Sequence, residues 1–397
     1  MKFMTDPRLL PEGIEDILPD DALDIEALRR RILDLFVTWG YERVTPPLID
    51  YLSTLQIGSG KDLDLQTFKL IDQLSGAMLG IRADMTPQVA RIDAHQLGHE
   101  WPTRLCYVGT IVHACGDALD KSRTPTQIGS ELYGYSGLEG DLEIIKLMLE
   151  MVAITGLQEI HIDLGHVGVY RGLVNEAGLN ERQITDLFDI LQRKSKPELA
   201  GFISELDLND AFKAMFMALP DLNGGREVFA KARQVLVQAG TSVQAALDDL
   251  EQVSLQLEQV FPRLAMSYDL AELRGYNYHT GIVFAAFVPG HGREIARGGR
   301  YDNIGIDFGR ERAATGFSAD LKVLARLSKN HHEDDTLQEK IFAPSDQDEQ
   351  LSTLIRDLRA QGRTVIQQLT GQVGTAQDYG CTAVIIKDNQ SWAIRSR

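Results

Sequence analysis

Hydrophobic and polar positions change their period several times along the chain. Between residues 20 and 39, Ile25, Leu28, Ile32, Leu35 and Phe36 recur at helical spacing, which predicts an amphipathic helix. Asp20 or Asp21 can cap its start, and Gly40 closes its end. The stretch ERVTPPLID is strand-like but broken by Pro46 and Pro47, which suits an edge or interface strand. Residues 66–82 predict two strands joined through a Ser-Gly turn. A short helix is expected over 90–99, strands over 104–114, 130–137 and 160–167, and a helix through DLEIIKLMLEMVAIT.

From about Tyr170 to Val260 leucine and alanine at helical spacing dominate, with Gly224-Gly225 marking a loop, so a helical insertion is expected at about 170–258. Sheet character then returns: YNYHTGIVFAAFV alternates, GHGREIARGGRYD turns, and TGFSADLKVLARL starts a helix. SKNHHEDDTLQEK is a polar linker, followed by a strand (IFAPS), a helix (EQLSTLIRDLRAQ), a strand (TVIQQL), a short helix and the strands CTAVIIK and SWAIRS. That tail is a small α/β module of about 60 residues, near the lower limit for independent folding. The division is therefore a core over 1–328 and a linker plus small α/β domain over 329–397, with α+β architecture.

Composition narrows the classes. The 397 residues suit two or three domains, and 44% hydrophobic with 24% charged residues is ordinary for a soluble globular protein. No apolar run approaches the roughly 20 residues that span a bilayer, and MKFMTDPRLLPEG lacks a secretory h-region, so a cytoplasmic location away from membranes is expected. A net charge of −17 repels phosphate backbones, so nucleic acid is not the expected ligand. The three cysteines, Cys106, Cys115 and Cys381, form no disulfide framework and no CxxC pair. His113 and Cys115 would share a face of a strand, but two ligands do not make a metal site, and no metal is expected.

Three clusters could carry chemistry. GGRYD (298–302) offers glycines that let backbone approach a ligand, although a turn is the simpler reading of the glycines alone. Asp84 and Thr86 sit two apart, on one face if this is a strand, or as a cap before QVARIDA if it is not. Gln127 and Glu131, four apart on a strand, would point to the same side.

In order, LLPEGIEDILP, GYERVTPPLID, TFKLID, IRADMTPQVAR, RLCYVGTIVHA, QIGSELYG, LRGYNYH, ARGGRYD and TGFSADL resemble the catalytic core of histidyl-tRNA synthetase, over about residues 8–328. The tail looks like a shortened anticodon-binding domain of that family. The resemblance implies a class II fold, with a six-stranded antiparallel sheet flanked by helices, and a dimer formed through the segment around Pro47. It also implies a histidine pocket made by Asp84, Thr86, Gln127, Glu131, Arg274, Tyr278, His279 and Tyr301. Carboxylates suit an α-ammonium and an imidazole N–H, and arginine suits a carboxylate. Asp84 stands where the synthetases have Glu, His279 where they have a second Tyr, and Asn277 replaces an acid.

The groups that hold ATP in that family are missing. His113 replaces the arginine of the second motif, Cys115 replaces its glutamate, and Pro125 stands where an aromatic belongs. In the third motif Gly-Leu-Glu-Arg has become Asp320-Leu321-Lys322-Val323, so the second arginine is a valine. Neither a neutral imidazole nor an aliphatic chain replaces a bidentate guanidinium clamp, and the surviving Arg123 cannot fill both places. Histidine-binding groups kept and ATP-binding groups lost resemble the regulatory subunits of short-form ATP phosphoribosyltransferase. That resemblance implies a non-catalytic chain of histidine biosynthesis, with no cofactor and with histidine as allosteric ligand. It further implies a hetero-oligomer with the short catalytic subunit, which this chain activates and through which histidine inhibits. The alternative is an active or tRNA-sensing synthetase-like protein.

Overall fold

The computed structural model describes residues 9–57, 61–116, 122–271, 278–306, 308–328, 339–388 and 391–396. The chain divides into two compact units, Met1–Lys329 and Asn330–Arg397. Of the polar linker SKNHHEDDTLQEK, residues 329–338 lie outside the described residues.

Helix α1 (Pro19–Thr38) buries Leu28, Ile32 and Phe36, the stripe its spacing predicts. Its start differs from expectation. Leu18 is the N-cap and makes no side-chain bond, while Pro19 opens the first turn, so Asp20 and Asp21 lie inside that turn and meet its dipole rather than capping it. Gly40, at φ 81°, turns the chain out. There follow β1 (Glu42–Arg43), β2 (Ile49–Tyr51), α2 (Leu52–Leu55), α3 (Lys61–Gln66), β3 (Phe68–Ile71), β4 (Met78–Ile81) and α4 (Thr86–Arg91). Next come β5 (Thr103–Thr110), β6 (Thr126–Tyr133), α5 (Leu138–Ile154) and β7 (His161–His166). The helical region holds α6 (Val167–Glu176), α7 (Glu181–Gln192), α8 (Lys196–Glu205) and α9 (Asp210–Ala218). It continues through a two-residue strand β8 (Asn223–Gly224), α10 (Glu227–Val235) and α11 (Thr241–Val260). The strands β9 (Ala265–Asp269), β10 (Ile282–Phe287), β11 (Ala296–Arg300) and β12 (Ala314–Asp320) precede α12 (Leu321–Ser328).

The main sheet runs β1-β5-β6-β12-β11-β10-β7-β9-β8. From β5 to β7 every neighbouring pair is antiparallel, the six-stranded core implied by the resemblance. The sheet is wider than that core because β1 adds parallel to β5, β9 adds parallel to β7, and β8 adds antiparallel to β9. These short strands satisfy edge groups that would otherwise face solvent unpaired. β2, β4 and β3 form a separate antiparallel sheet. One face of the main sheet packs Ile128, Leu132 and Phe317 against Phe36 and the apolar side of α5. The other face carries Tyr107, Tyr133 and Tyr301 against Met85 and Val89, and this is the face that holds the candidate site.

Four local expectations are corrected. Gly298 and Gly299 lie inside β11 rather than in a turn, because a Cβ at Gly298 would strike the Phe284 ring and the Gly316 carbonyl. The TGFSAD stretch is β12, and the helix starts only at Leu321. Gly224 pairs with Tyr268 as part of β8 instead of lying in a loop. The helix expected over 90–99 begins earlier, at Thr86, and continues as a π-helical stretch, Ile92–Leu97.

The second unit contains β13 (Lys340–Ala343), α13 (Glu349–Ala360), β14 (Thr364–Gln367), β15 (Ala383–Asp388) and β16 (Ser391–Ser396), in sheet order β14-β13-β15-β16. Helix α13 buries Leu351, Ile355 and Leu358 against Ile341, Val365 and Ile385. The short helix expected between β14 and β15 is absent among the described residues; Gly371, Gly374 and Gly380 hold positive φ there and make turns. No described helix is long and apolar enough to cross a membrane.

Candidate functional site

The turn from β4 into α4 builds one wall. Asp84 accepts hydrogen bonds at Oδ1 from the Thr86 backbone N–H (3.0 Å) and the Thr86 hydroxyl (3.1 Å). Gln127, from β6, clamps the same turn with both ends of its amide. Its Nε2 donates to Asp84 (2.8 Å) and its Oε1 accepts from the Met85 N–H (2.9 Å). Asp84 and Thr86 therefore lie on a helix-opening turn rather than on a strand, with Pro87 setting the helical start. Met85 is the N-cap of that helix and no side chain caps it, so Asp84 fixes the turn before the helix rather than capping it.

Glu131 lies on the same side of β6 as Gln127, as the period of a strand requires. It is 2% exposed. Its carboxyl accepts from the hydroxyl of Tyr107 (2.9 Å) at one oxygen and from Tyr301 at the other, and the Thr86 hydroxyl, shared with Asp84, lies 3.2 Å from the first. Burial pushes its pKa up to about 8, the Tyr301 and Tyr107 hydroxyls pull it back, and Asp84 adds to the rise. Tyr278 stacks on Tyr301 with ring centroids 4.8 Å apart, and its buried hydroxyl has no hydrogen-bond partner among the described residues. His279 sits behind that stack: its Nδ1 lies 3.3 Å from the Arg300 carbonyl, and its ring meets the edge of Tyr278. Burial lowers its pKa to about 4, so it is a neutral ring at neutral pH. The structure thus joins Asp84, Thr86, Gln127, Glu131, Tyr278 and Tyr301, with His279 one layer back. Arg274 and Asn277 lie outside the described residues.

Two contributors escaped the sequence analysis. Tyr107 comes from β5, where its register opposite Gly129 leaves room for the phenol; a Cβ at Gly129 would lie 2.7 Å from the Tyr107 oxygen. Gly316 pairs with Glu131 across β12 and β6, and a Cβ there would overlap the carboxyl. Strand alternation gave the side of Tyr107, but only the pairing register gave its partner.

At and near the positions where the resemblance implies lost ATP ligands, side chains and backbone bond within the chain itself. β5 ends at Thr110, so His113 and Cys115 do not share a strand face. His113 forms an isolated bridge with Thr67 and lies 3.2 Å from the Ala83 carbonyl, while Cys115 is exposed. Arg123 donates to the carbonyls of His113 (3.0 Å) and Glu12 (3.2 Å) and covers the Phe68 ring. Pro125 gives its carbonyl to the Ile111 N–H. Asp320 accepts from the backbone of Thr126 and Lys322. Lys322 is buried, 3.5 Å from the Thr124 hydroxyl and 3.7 Å from Glu15, and Val323 is half-buried on α12. No group of three or more residues fit to hold a metal occurs among the described residues.

The family model for histidyl-tRNA synthetase matches residues 13–324. That for the ATP phosphoribosyltransferase subunit HisZ C-terminal domain matches residues 338–395. An ATP phosphoribosyltransferase regulatory subunit from Methylococcus capsulatus is 52% identical over 389 residues, covering 98% of this chain and 96% of that one. The chain belongs to the ATP phosphoribosyltransferase regulatory subunit family. A relative of the same description from Thioalkalivibrio sulfidiphilus is 50% identical, with 98% of this chain and 99% of that one covered. The fold agrees with a Bacillus halodurans crystal structure described as an ATP phosphoribosyltransferase regulatory subunit/histidyl-tRNA synthetase, at TM-score 0.82 and 29% identity, covering 94% of this chain and 98% of that one. Histidyl-tRNA synthetase from Nostoc sp. PCC 7120 shares the fold at TM-score 0.76 and 19% identity, over 99% of this chain and 97% of that one.

Proposed function

We propose that this chain binds free histidine between Asp84, Thr86, Gln127, Glu131, Tyr278 and Tyr301, and forms no histidyl-adenylate. It activates the short-form ATP phosphoribosyltransferase catalytic subunit and carries histidine inhibition to it. The observation that carries this reading is a contrast between two sets of charged side chains. The pocket carboxylates are bonded and oriented, whereas Arg123 and Lys322, the cations near the former nucleotide positions, are engaged by the chain's own groups. A carboxylate pocket suits an amino acid that brings an ammonium and an imidazole. Without guanidinium clamps the phosphates of ATP lose the groups that stabilise transfer. Self-association as a dimer belongs to the same proposal. It is supported by Leu48, Ile49 and Tyr51, which stand 45%, 46% and 56% exposed next to Pro47, an unusual grouping for a free surface.

Gel filtration with the short catalytic subunit, and separately with tRNA, tests the reading. Co-elution with the catalytic subunit and not with tRNA is expected, and the isolated chain should elute as a dimer. Co-elution with tRNA together with histidine-dependent ATP–pyrophosphate exchange would overturn it in favour of a synthetase.

A further inference from the structure

We propose that Glu131 and the ring of the bound ligand hold one proton between them, so that the pocket selects a basic ring and its affinity falls once Glu131 is ionised in the empty protein. The inference rests on the histidine reading above and adds the regulation of that site by pH.

The geometry carries it. Glu131 is fully buried, and its polar neighbours are the hydroxyls of Thr86, Tyr107 and Tyr301, each able to donate to a carboxylate or to accept the proton of a neutral carboxyl. None of these donors is a cation. Among the described residues, the titratable groups that face it are Asp84 from the turn before α4, Tyr107 from β5, Tyr133 from β6, and Tyr278 and Tyr301 beside β11; all of these are acids. The Thr86 hydroxyl has a single proton but lies within bonding distance of Asp84, Glu131 and Tyr107, so it cannot satisfy both carboxyl groups at once. An uncompensated buried carboxylate is costly, and the empty site relieves that cost by keeping Glu131 neutral. Its pKa of about 8 agrees with this.

The shape separates the two ends of a ligand. Around Glu131 the walls are phenol rings, with the unpartnered Tyr278 hydroxyl among them, which suits a planar ring bearing two polar nitrogens. Asp84 is only half-buried and suits an ammonium. When a neutral imidazole enters, the Glu131 O–H proton is shared with or passed to the ring nitrogen. The carboxyl becomes the counter-ion of the imidazolium it creates, and nothing is exchanged with solvent. Above the pKa of Glu131 that proton is gone, and binding must draw one from solvent. The affinity then drops by up to about tenfold per pH unit.

Calorimetric titration of histidine into the full chain, in two buffers of different ionisation enthalpy, measures this directly. Near pH 7 net proton uptake should be close to zero, and near pH 9 it should approach one. The Glu131→Gln chain measures the background from the ligand's own α-ammonium, and the uptake near pH 9 should exceed that background. Uptake of about one proton already near pH 7 would mean that Glu131 is ionised in the empty pocket, and would overturn the inference. So would uptake near pH 9 no greater than that of Glu131→Gln. Complete absence of binding to the unmodified chain would instead overturn the histidine reading itself.

Discussion

At the scale of the residue, the pocket is held in a state that is unfavourable for the empty protein at alkaline pH. The Glu131 carboxyl has an ordinary value of 4.5 when the chain is unfolded and about 8 when it is folded. Between those values the folded chain carries a proton that the unfolded chain has lost, so stability falls as pH rises through the window and levels off above it. Glu131→Gln, which stays neutral, should melt progressively higher than the unmodified chain as pH climbs from about 5 to 8. The gap should grow by on the order of 1 kcal/mol per pH unit. Thermal melts at a series of pH values check this, and parallel curves would show that the carboxyl ionises normally. His166 and His279 pull the other way. Burial lowers both to about 4, so each destabilises the fold as pH falls below the ordinary value of 6.5, and the melts should be compared at matched pH.

At the scale of the element, α4 links the pocket to the Pro47 segment. Its first residue, Thr86, reaches Glu131, while Gln88 donates to the Pro47 carbonyl (2.9 Å) and to Asp50 (3.0 Å), and Arg91 pairs with Asp50 (2.8 Å). One turn before the helix, Arg82 is buried and donates to the carbonyls of Pro46 and Thr110. A ligand that draws on Thr86 therefore acts on the helix that anchors the proposed dimer surface. The positions proposed to have lost ATP ligands also lie on several elements, His113 and Cys115 after β5, Pro125 before β6 and Val323 on α12. His113→Arg combined with Val323→Arg should leave ATP–pyrophosphate exchange at the level of a protein-free blank. Cys115 and Pro125 still lack the family's groups, and Asp320 and Lys322 are committed to Thr126, Thr124 and Glu15. Exchange clearly above the blank in the double variant would show that two guanidinium groups suffice.

At the scale of the whole molecule, the proposed function puts sensing and chemistry on different chains, and on that reading inhibition is transmitted between them. Glu131→Ala removes the partner of the ligand ring in a buried site, and the loss is about 1–3 kcal/mol, on the order of 5- to 150-fold in affinity. In the assembled complex that variant should still activate the catalytic subunit, yet need correspondingly more histidine for inhibition. Rate assays across a histidine series check both halves. Inhibition at the unmodified concentration would place the regulatory site elsewhere. If histidine weakens substrate binding by some factor, substrate must weaken histidine binding by the same factor.

The sequence by itself determined the stripe of α1, the hairpin of β3 and β4, the side of β6 that carries Gln127 and Glu131, and the helical region between β7 and β9. Each depends on local periodicity or on a turn residue, and these act over a few positions. The ordered motifs also determined the family, because their order along the chain is visible without any fold. Only the tertiary structure decided that Gly298 and Gly299 lie in a central strand, since the obstacles to a side chain there are Phe284 and the Gly316 carbonyl from neighbouring strands. It alone brought Tyr107 and Gly316 to Glu131, because cross-strand register is fixed by the packing of the whole sheet. The state of Glu131 belongs to that second class as well. A carboxyl gains or loses its proton according to what surrounds it, and its surroundings come from β5, β12, α4 and Tyr301, far apart in the chain.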